Sequence, residues 1–514
     1  MHQRRKACRR VKRRRKYIMW EKKKWRPVAG FVFLFQVLFE AIALINIHRL
    51  NMVPTKYLMV LYAVLAGLTV LTAFLLFKGT GHGPSHHRHR RRVASVVIAL
   101  IVGIGSAIAT AFAAEAYSTV STVTAASNKL AAVEGVYVLK TDQARTIQGT
   151  KNYKFGVMTG YDADNTQKAV EKVSSKVKKA ITTIPEKSVN DNVSALYNGD
   201  VQAIIMNEAY ADSLVDTEAY ADFRKKTRLL YEVPIKKKKT SNKAVDVTKT
   251  PFVLYISGSD TRSKILDTSR SDVNILMIVN PVTKQILLLN TPRDYYVKNP
   301  AANGAYDKLT HCGLYGIDCS EQALGSLYNT DVNYYSQINF TGFETLIDAI
   351  GGITVDSPQS FTAGSYSFKK GENTLNGAQA LAFARERHAF NEGDNMRGEN
   401  QMRVIKAVIA KITSDGGNTL LHYKSIMDSL SGTFTTDLTS KDISKIVKKQ
   451  LDDGTSWNVQ SYAVSGKTGM DTTYSMPGTK VSVMYEDSGK VVKGARLIDK
   501  VKNGEKLTST DVAE

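Results

Sequence analysis

"SRSDVNILMIVNPVTKQILLLNTPRD" (residues 269–294) holds two apolar runs of strand length, each joined to an arginine and an aspartate. Arg270 and Asp272 stand at the entrance of the first run, and Arg293 and Asp294 follow the second. Upstream, "FVLYISGSD" (residues 252–260) is a third strand candidate leading into Gly258 and Asp260. Downstream, "FTGFETLIDAIGG" and "NQMRVIKAVIAKI" carry apolar residues at helical spacing, and a glycine pair closes the first of these helices. Strands mixed with amphipathic helices predict an α/β (α+β) domain, and functional side chains tend to emerge at strand ends in such sheets.

A second basic cluster lies further on. In "FARERHAFNEGDNMRGENQ" (residues 383–401), Arg385, Arg387 and Arg397 surround a short acidic loop. A solvated charged surface would account for them, but Arg385 and Arg387 leave the end of an apolar segment, where a guanidinium tends to have an anionic partner. Together with Arg270, Arg293, Asp260, Asp272 and Gln401, these side chains have the composition of a phosphate and metal site. Arginine forks bind phosphate oxygens bidentately. Aspartates are hard oxygen ligands for Mg²⁺, which takes one or two of them with substrate phosphates.

At 514 residues the chain exceeds one ordinary domain. Its formal charge of +23 is unevenly spread: residues 1–26 contribute +13, residues 27–117 another +5, and residues 118–514 keep only +5. This excludes a uniformly basic nucleic-acid binder. Three apolar stretches, residues 28–47, 58–77 and 93–117, are each long enough to cross a bilayer. The basic arm "RRKACRRVKRRRK" and the loop "KGTGHGPSHHRHRRR" flank them, so the positive-inside bias puts the N-terminus and that loop in the cytoplasm. The larger region after residue 117 is then outside, and the protein is a multi-pass protein of the cell membrane. The arm is too long for a signal peptide's basic region. The four histidines of "HGPSHHRHR" read as part of a topology anchor rather than a metal site.

Residues 118–235 alternate short apolar runs with amphipathic stretches and predict a small α/β accessory domain without a nucleophile or phosphate loop. Asp162 and Asp164 in it read as turn residues. Residues 236–250, within "IKKKKTSNKAVDVTKTP", read as a linker. The expected organisation is therefore a basic cytoplasmic arm (1–27), three membrane helices (28–117), the accessory domain (118–235), the linker (236–250) and the catalytic domain (251–514). Cys312 and Cys319 lie in "THCGLYGIDC", outside the cytosol, and are open to a local disulfide or to two free thiols; two thiols do not make a zinc site.

The motifs "SGSD", "SRSDVNILM", "TPRDYYV", "DKLTH", "RERHAFNEGDNMRGENQ" and "INFTGFETLIDAIGGI" resemble those of the LytR-CpsA-Psr family, membrane-anchored enzymes of Gram-positive cell walls. The resemblance covers the chain from about residue 252 onward, and the three spans and accessory domain look like the CpsA-type capsule-assembly branch. It implies transfer of a glycopolymer phosphate from a polyprenyl-pyrophosphate carrier to peptidoglycan, with release of polyprenyl phosphate and with Mg²⁺ (or Mn²⁺) as cofactor. Matched by motif, Asp260 and Asp272 are the metal-associated aspartates and, with Arg293, the catalytic residues. Arg270, Arg293, Arg385, Arg387, Arg397 and Gln401 are the pyrophosphate-binding residues. The implied partners are a polyprenyl-pyrophosphate-linked glycan, peptidoglycan, the plasma membrane and capsule-synthesis membrane proteins.

Many family members read Arg-Gln-Gln where this chain has Asn400, Gln401 and Met402. The polyprenyl chain needs an apolar slot, for which the helices at residues 340–350 and 404–412 are candidates, most of their apolar residues being core. Two other readings use the same residues: a membrane regulator that senses lipid-linked precursor, and a hydrolase that cleaves the lipid with water as nucleophile. No base-reading fold fits in the arm before the first span, so DNA contact there is not expected.

Overall fold

The computed structural model describes residues 2–78, 85–126, 131–159, 162–215, 218–236, 244–259, 269–390, 393–414 and 423–513. Asp260 and residues 237–243 of the expected linker lie outside the described residues. The chain divides into two compact units, residues 1–119 with 444–453, and residues 120–443 with 454–514.

The first unit holds three helices long and apolar enough to cross a membrane: Trp25–Leu50, Thr55–Phe77 and Val93–Glu115. The first continues a helix that begins at His2. Ala29, Leu76 and Ala99 are fully buried among them, and Gly103 admits the Phe35 ring, which would lie 2.9 Å from an added Cβ. A polar contact joins the first two spans. Glu40 accepts from Gln36 Nε2 at 2.8 Å and lies 2.6 Å from the Thr69 hydroxyl.

The second unit contains two large sheets. The first has five strands: β1 (Ala131–Leu139), β2 (Lys154–Met158), β3 (Thr182–Glu186), β4 (Ala203–Asn207) and β5 (Thr227–Lys236), in the order β3-β2-β4-β1-β5. β2 runs parallel to β3 and β4, whereas β1 is antiparallel to β4 and β5. The run "AIIMN" of β4 is buried throughout, as befits a strand covered on both faces. Asp162, at φ +56°, stands just before the helix Ala163–Val177 and accepts from Asn165 and Asn207, a turn role as expected, whereas Asp164 lies not in a turn but in the first turn of that helix, where a carboxylate complements the helix dipole.

The second sheet is built on β6 (Phe252–Ser259), β7 (Ser271–Asn280) and β8 (Gln285–Asn290). β6 is antiparallel to β7, and β7 to β8. The strand Tyr334–Asn339 adds in parallel beside β6, and Asn458–Ala463 adds in parallel beside β8. The short strand Phe434–Thr436 completes the sheet beyond Tyr334–Asn339. Four strands therefore end at one edge: β6, β8, Tyr334–Asn339 and Asn458–Ala463.

One face of this sheet packs through Tyr255, Leu276, Leu287 and Leu289 on Leu309, Leu324, Tyr328 and Leu497. A separate core gathers Ile347, Phe361, Phe368, Phe383, Phe390 and Val404 around the helices that follow Asn339. The glycine pair ends the helix Phe340–Ala349 as the sequence predicts, with Gly351 and Gly352 at φ +77° and +80°. Leu314, Tyr315 and Tyr474 pack into the core of the first sheet, beside Tyr137, Met158 and Tyr210.

Candidate active site

The cavity opens at the strand edge where the four parallel ends converge. It encloses about 820 Å³ and is lined by residues from the ends of β6 and Tyr334–Asn339, the start of β7, the segment after β8, and the helices Phe340–Ala349, Gly377–Arg385 and Asp394–Ser414. Arg270, Asp272, Arg293, Arg385, Arg387, Arg397 and Gln401 all line it. The structure thus brings together seven of the eight residues selected from sequence, and Asp260 follows the last described residue of β6.

Strand geometry explains the convergence. β7 begins at Ser271, so Arg270 and Asp272 enter the sheet at the edge where the antiparallel β8 leaves it, and Arg293 follows three residues after Asn290. Arg293 Nη1 donates to Asp272 Oδ1 at 2.7 Å. Its Nε lies 3.6 Å from Asp294 Oδ1, which also receives Lys308 Nζ at 2.8 Å. Burial acts to lower the affinity of Arg293 for its proton, but Asp272 and Asp294 outweigh it and the guanidinium is held more firmly charged. Burial likewise acts to raise Asp294, yet the Lys308 ammonium and Arg293 hold this carboxyl below the usual aspartate range.

The other arginines come from the helical side. The helix Gly377–Arg385 starts at a capping box formed by Asn376 and Gln379 and places Arg385 in its last turn, over the Phe340 ring at 4.3 Å. Arg397 Nη2 lies 3.3 Å from Asp394 Oδ2, and Arg387 Nη1 lies 3.7 Å from Asp394 Oδ1. Burial lowers the Arg397 pKa, with Asp394 and Asp272 opposing it. Gly398 lets this helix meet the end of β8: an added Cβ would come within 2.2 Å of Asn290 Nδ2. Gly313 does the same for the start of β7, since its Cβ would lie 2.4 Å from Ser269 O and 3.1 Å from Ser271 N. The departure from the family pattern is absorbed locally. Asn400 and Met402 are buried and do not line the cavity, whereas Gln401 does.

Part of the lining is apolar, and Arg385 lies over one of its rings. Phe340, Phe343, Leu381 and Ile405 line the cavity, while Ile347 and Val404 of the same helices sit in the core. The two helices selected from sequence each contribute, but their core residues are Ile347 and Val404, with Phe343, Ile350, Ala407 and Val408 partly buried against that core, rather than most of their apolar residues, and Gly377–Arg385 adds a wall the sequence reading did not select.

Sequence reasoning missed two charged partners. Asp394 stands three residues before Arg397, a helical spacing that was legible once the helix start was known. Lys308 pairs with Asp294 across fourteen positions, and no local period signals that contact.

For a metal, Asp272 lines the cavity with one oxygen committed to Arg293, and Glu344 and Glu386 line it as well. Among the described residues no three His, Cys, Asp or Glu side chains converge as a ligand set. Such a site suits an ion that takes one or two carboxylates and completes its shell with phosphate oxygens. Cys312 and Cys319 are free thiols and buried; hydrogen bonding between them and burial push the Cys312 thiol well up.

Residues 219–489 match the LytR_cpsA_psr family. The polyisoprenyl-teichoic acid–peptidoglycan teichoic acid transferase TagU of Enterococcus faecalis is 33% identical over 229 residues, covering 44% of this chain and 74% of that protein. Its namesake in Bacillus subtilis is 37% identical over 179 residues, covering 34% of this chain and 58% of that protein. Among solved structures, TagT bound to LIIa-WTA is 25% identical and covers 51% of this chain and 94% of its own, with a TM-score of 0.41. The family match extends through the arginine-lined cavity's motifs, and the chain belongs to the LytR_cpsA_psr family.

Proposed function

We propose that this protein is a phosphotransferase that moves a glycopolymer from a polyprenyl-pyrophosphate carrier onto peptidoglycan. The observation that carries this reading is the convergence of five arginines on one cavity that is also lined by apolar side chains. Guanidinium forks suit a pyrophosphate, and the Phe340, Phe343, Leu381 and Ile405 wall suits the start of a polyprenyl chain. The named activity of the TagU relatives supports the reaction class.

In this reading Arg270, Arg293, Arg385, Arg387, Arg397 and Gln401 bind the pyrophosphate. An acceptor hydroxyl oxygen bonds to the sugar-linked phosphorus. The bond from that phosphorus to the bridging oxygen breaks, and polyprenyl phosphate departs with the oxygen and its electron pair. The hydroxyl proton passes to a site carboxylate, Asp260 or Asp272. Arg293, tied to both Asp272 and Asp294, holds a fixed cation where charge develops and loses no energy to reorientation there. Asp272, with Asp260, would hold Mg²⁺ or Mn²⁺, which supplies charge stabilisation and lowers the acceptor hydroxyl's pKa.

The three apolar helices anchor the enzyme on the surface that carries its lipid substrate, with the arm inside the cell and the cavity outside. Capsular polysaccharide is the proposed polymer, on the resemblance of the N-terminal architecture to the capsule branch.

The full-length protein in detergent is to be incubated with Mg²⁺, a polyprenyl-pyrophosphate glycan and peptidoglycan strands, following both polyprenyl phosphate and joined glycan. Joined product that requires Arg293 and Arg385 is expected. Lipid cleavage without joining would instead favour a hydrolase, and binding without turnover a sensor. Teichoic acid and capsular donors in parallel arms decide the polymer.

A further inference from the structure

Beyond the rim of the cavity three tyrosines form a continuous aromatic surface. The chain leaving Arg293 forms the strand Tyr296–Lys298, paired antiparallel with Tyr306–Lys308, with Tyr296 opposite Lys308. Tyr296 and Tyr306 are diagonal neighbours on one face of this ribbon, and their rings stack with centroids 5.0 Å apart at 24°. Tyr485, from the hairpin of Gly466–Thr473 and Met476–Glu486, meets Tyr296 edge-on at 5.8 Å and 87°. Its ring lies across Gly469, where an added Cβ would approach Cε2 to 2.6 Å.

The surface is both fixed and accessible. Tyr296 donates its hydroxyl to Thr472 O at 2.8 Å, Tyr485 donates to Asp471 Oδ2 at 2.9 Å, and Tyr474 N donates to Tyr306 O at 3.1 Å. Tyr306 nevertheless remains 49% exposed and Tyr485 36%. None of the three contributes to the core, and none lines the cavity.

We propose that Tyr296, Tyr306 and Tyr485, with Asp471, form a saccharide platform for the sugars that follow the pyrophosphate on the lipid-linked donor. The inference rests on the phosphotransferase reading above. A pyranose offers a C–H face that packs on aromatic rings and a rim of hydroxyls that seek acceptors such as Asp471. Alternating charges on the hairpin, Lys467, Asp471 and Lys480, make it a poor surface for bilayer insertion.

Position favours the donor. Lys308 pins the ribbon to Asp294, and Met484 N donates to Asp294 O at 2.8 Å, so both halves of the platform hang on the residue after Arg293. Along the sheet edge, Tyr334–Asn339 leads into the apolar wall, β8 leads to Arg293, and Asn458–Ala463 leads into the hairpin of Tyr485. With strands about 4.8 Å apart, these surfaces succeed one another across roughly 20 Å. The order apolar, cationic, aromatic is that of a lipid tail, a pyrophosphate and a glycan.

The test measures binding of the full-length protein in detergent to two lipids, polyprenyl pyrophosphate and the same lipid carrying an oligosaccharide. Tyr306→Ala and Tyr485→Ala are expected to weaken the glycan-bearing lipid about tenfold, the scale of one lost aromatic contact, and to leave the sugar-free lipid unchanged. Tyr306→Phe should retain the binding, and Arg293→Ala should weaken both lipids. Equal binding of both lipids by the tyrosine variants, or equal loss, would overturn the platform while leaving the phosphate reading intact. Loss confined to joining of peptidoglycan strands, with both lipids bound normally, would reassign the surface to the acceptor and overturn the donor assignment. Failure of the unsubstituted protein to bind either lipid would remove the phosphotransferase reading itself.

Discussion

Arg293 and Asp272, twenty-one positions apart, close an ion pair at 2.7 Å where two antiparallel strands meet the same sheet edge. Each side chain is less than one-fifth exposed, so the pair is held by its surroundings rather than by a flexible surface contact. Arg293 also sits beside Asp294, whose other partner is Lys308.

Arg293→Lys keeps the charge but not the planar fork that spans Asp272 and Asp294. Transfer by this variant is expected to fall roughly a hundredfold, as when a preorganised donor is lost, with overall folding kept. Steady-state kinetics on lipid-linked donor, with circular dichroism as the folding control, check this. Activity close to that of the parent would mean that charge alone suffices at this position.

Gly313→Ala tests how the start of β7 is positioned. The new Cβ would press on Ser269 O and Ser271 N, backbone atoms on either side of Arg270. A stability loss of about 1–3 kcal/mol is expected from such overpacking. Donor affinity should drop as well, because Arg270 is displaced; thermal unfolding and lipid binding measure the two effects separately.

Acid should loosen the domain through Asp307. This carboxylate is fully buried and accepts from the Ser475 hydroxyl at 2.5 Å and Asn299 at 3.2 Å, with the His311 ring at 2.6 Å. Burial acts to raise its pKa, but these partners hold it below the ordinary value. A carboxylate depressed in the folded state contributes stability that is present above its unfolded value, about 3.9, and is lost as pH falls through the folded one. Asp294 adds in the same direction. Denaturation midpoints should therefore decline below about pH 4, and Asp307→Asn should lower stability at neutral pH while flattening that acid limb.

Glu40 links the first two membrane helices through Gln36 and Thr69. Glu40→Leu removes the contact between the helices and leaves Thr69 without it, whereas Glu40→Gln retains a polar group of the same shape. A loss of about 0.6–1.7 kcal/mol is expected for the first and a smaller one for the second. Thermal stability of the full-length protein in detergent reads the difference, and equal values for both variants would show that the polar contact is dispensable.

Much of this architecture was legible in the order of the residues. Apolar runs of strand length gave β6, β7 and β8, three longer runs gave the membrane helices, and a glycine pair marked the end of Phe340–Ala349. Each is a local signal, carried by residues a few positions apart whose periodicity and backbone preferences act without reference to the rest of the chain. The arginines and Gln401 were recognisable by residue type and motif. Their partners were not: Asp394 bridging Arg387 and Arg397, Lys308 reaching Asp294, and the three tyrosines gathered from two hairpins depend on which strands pair and in which register. The parallel placement of Tyr334–Asn339 beside β6 and of Asn458–Ala463 beside β8 crosses long stretches of chain. Such pairings are chosen by burial of whole faces in the folded domain, a cooperative property that no short segment encodes.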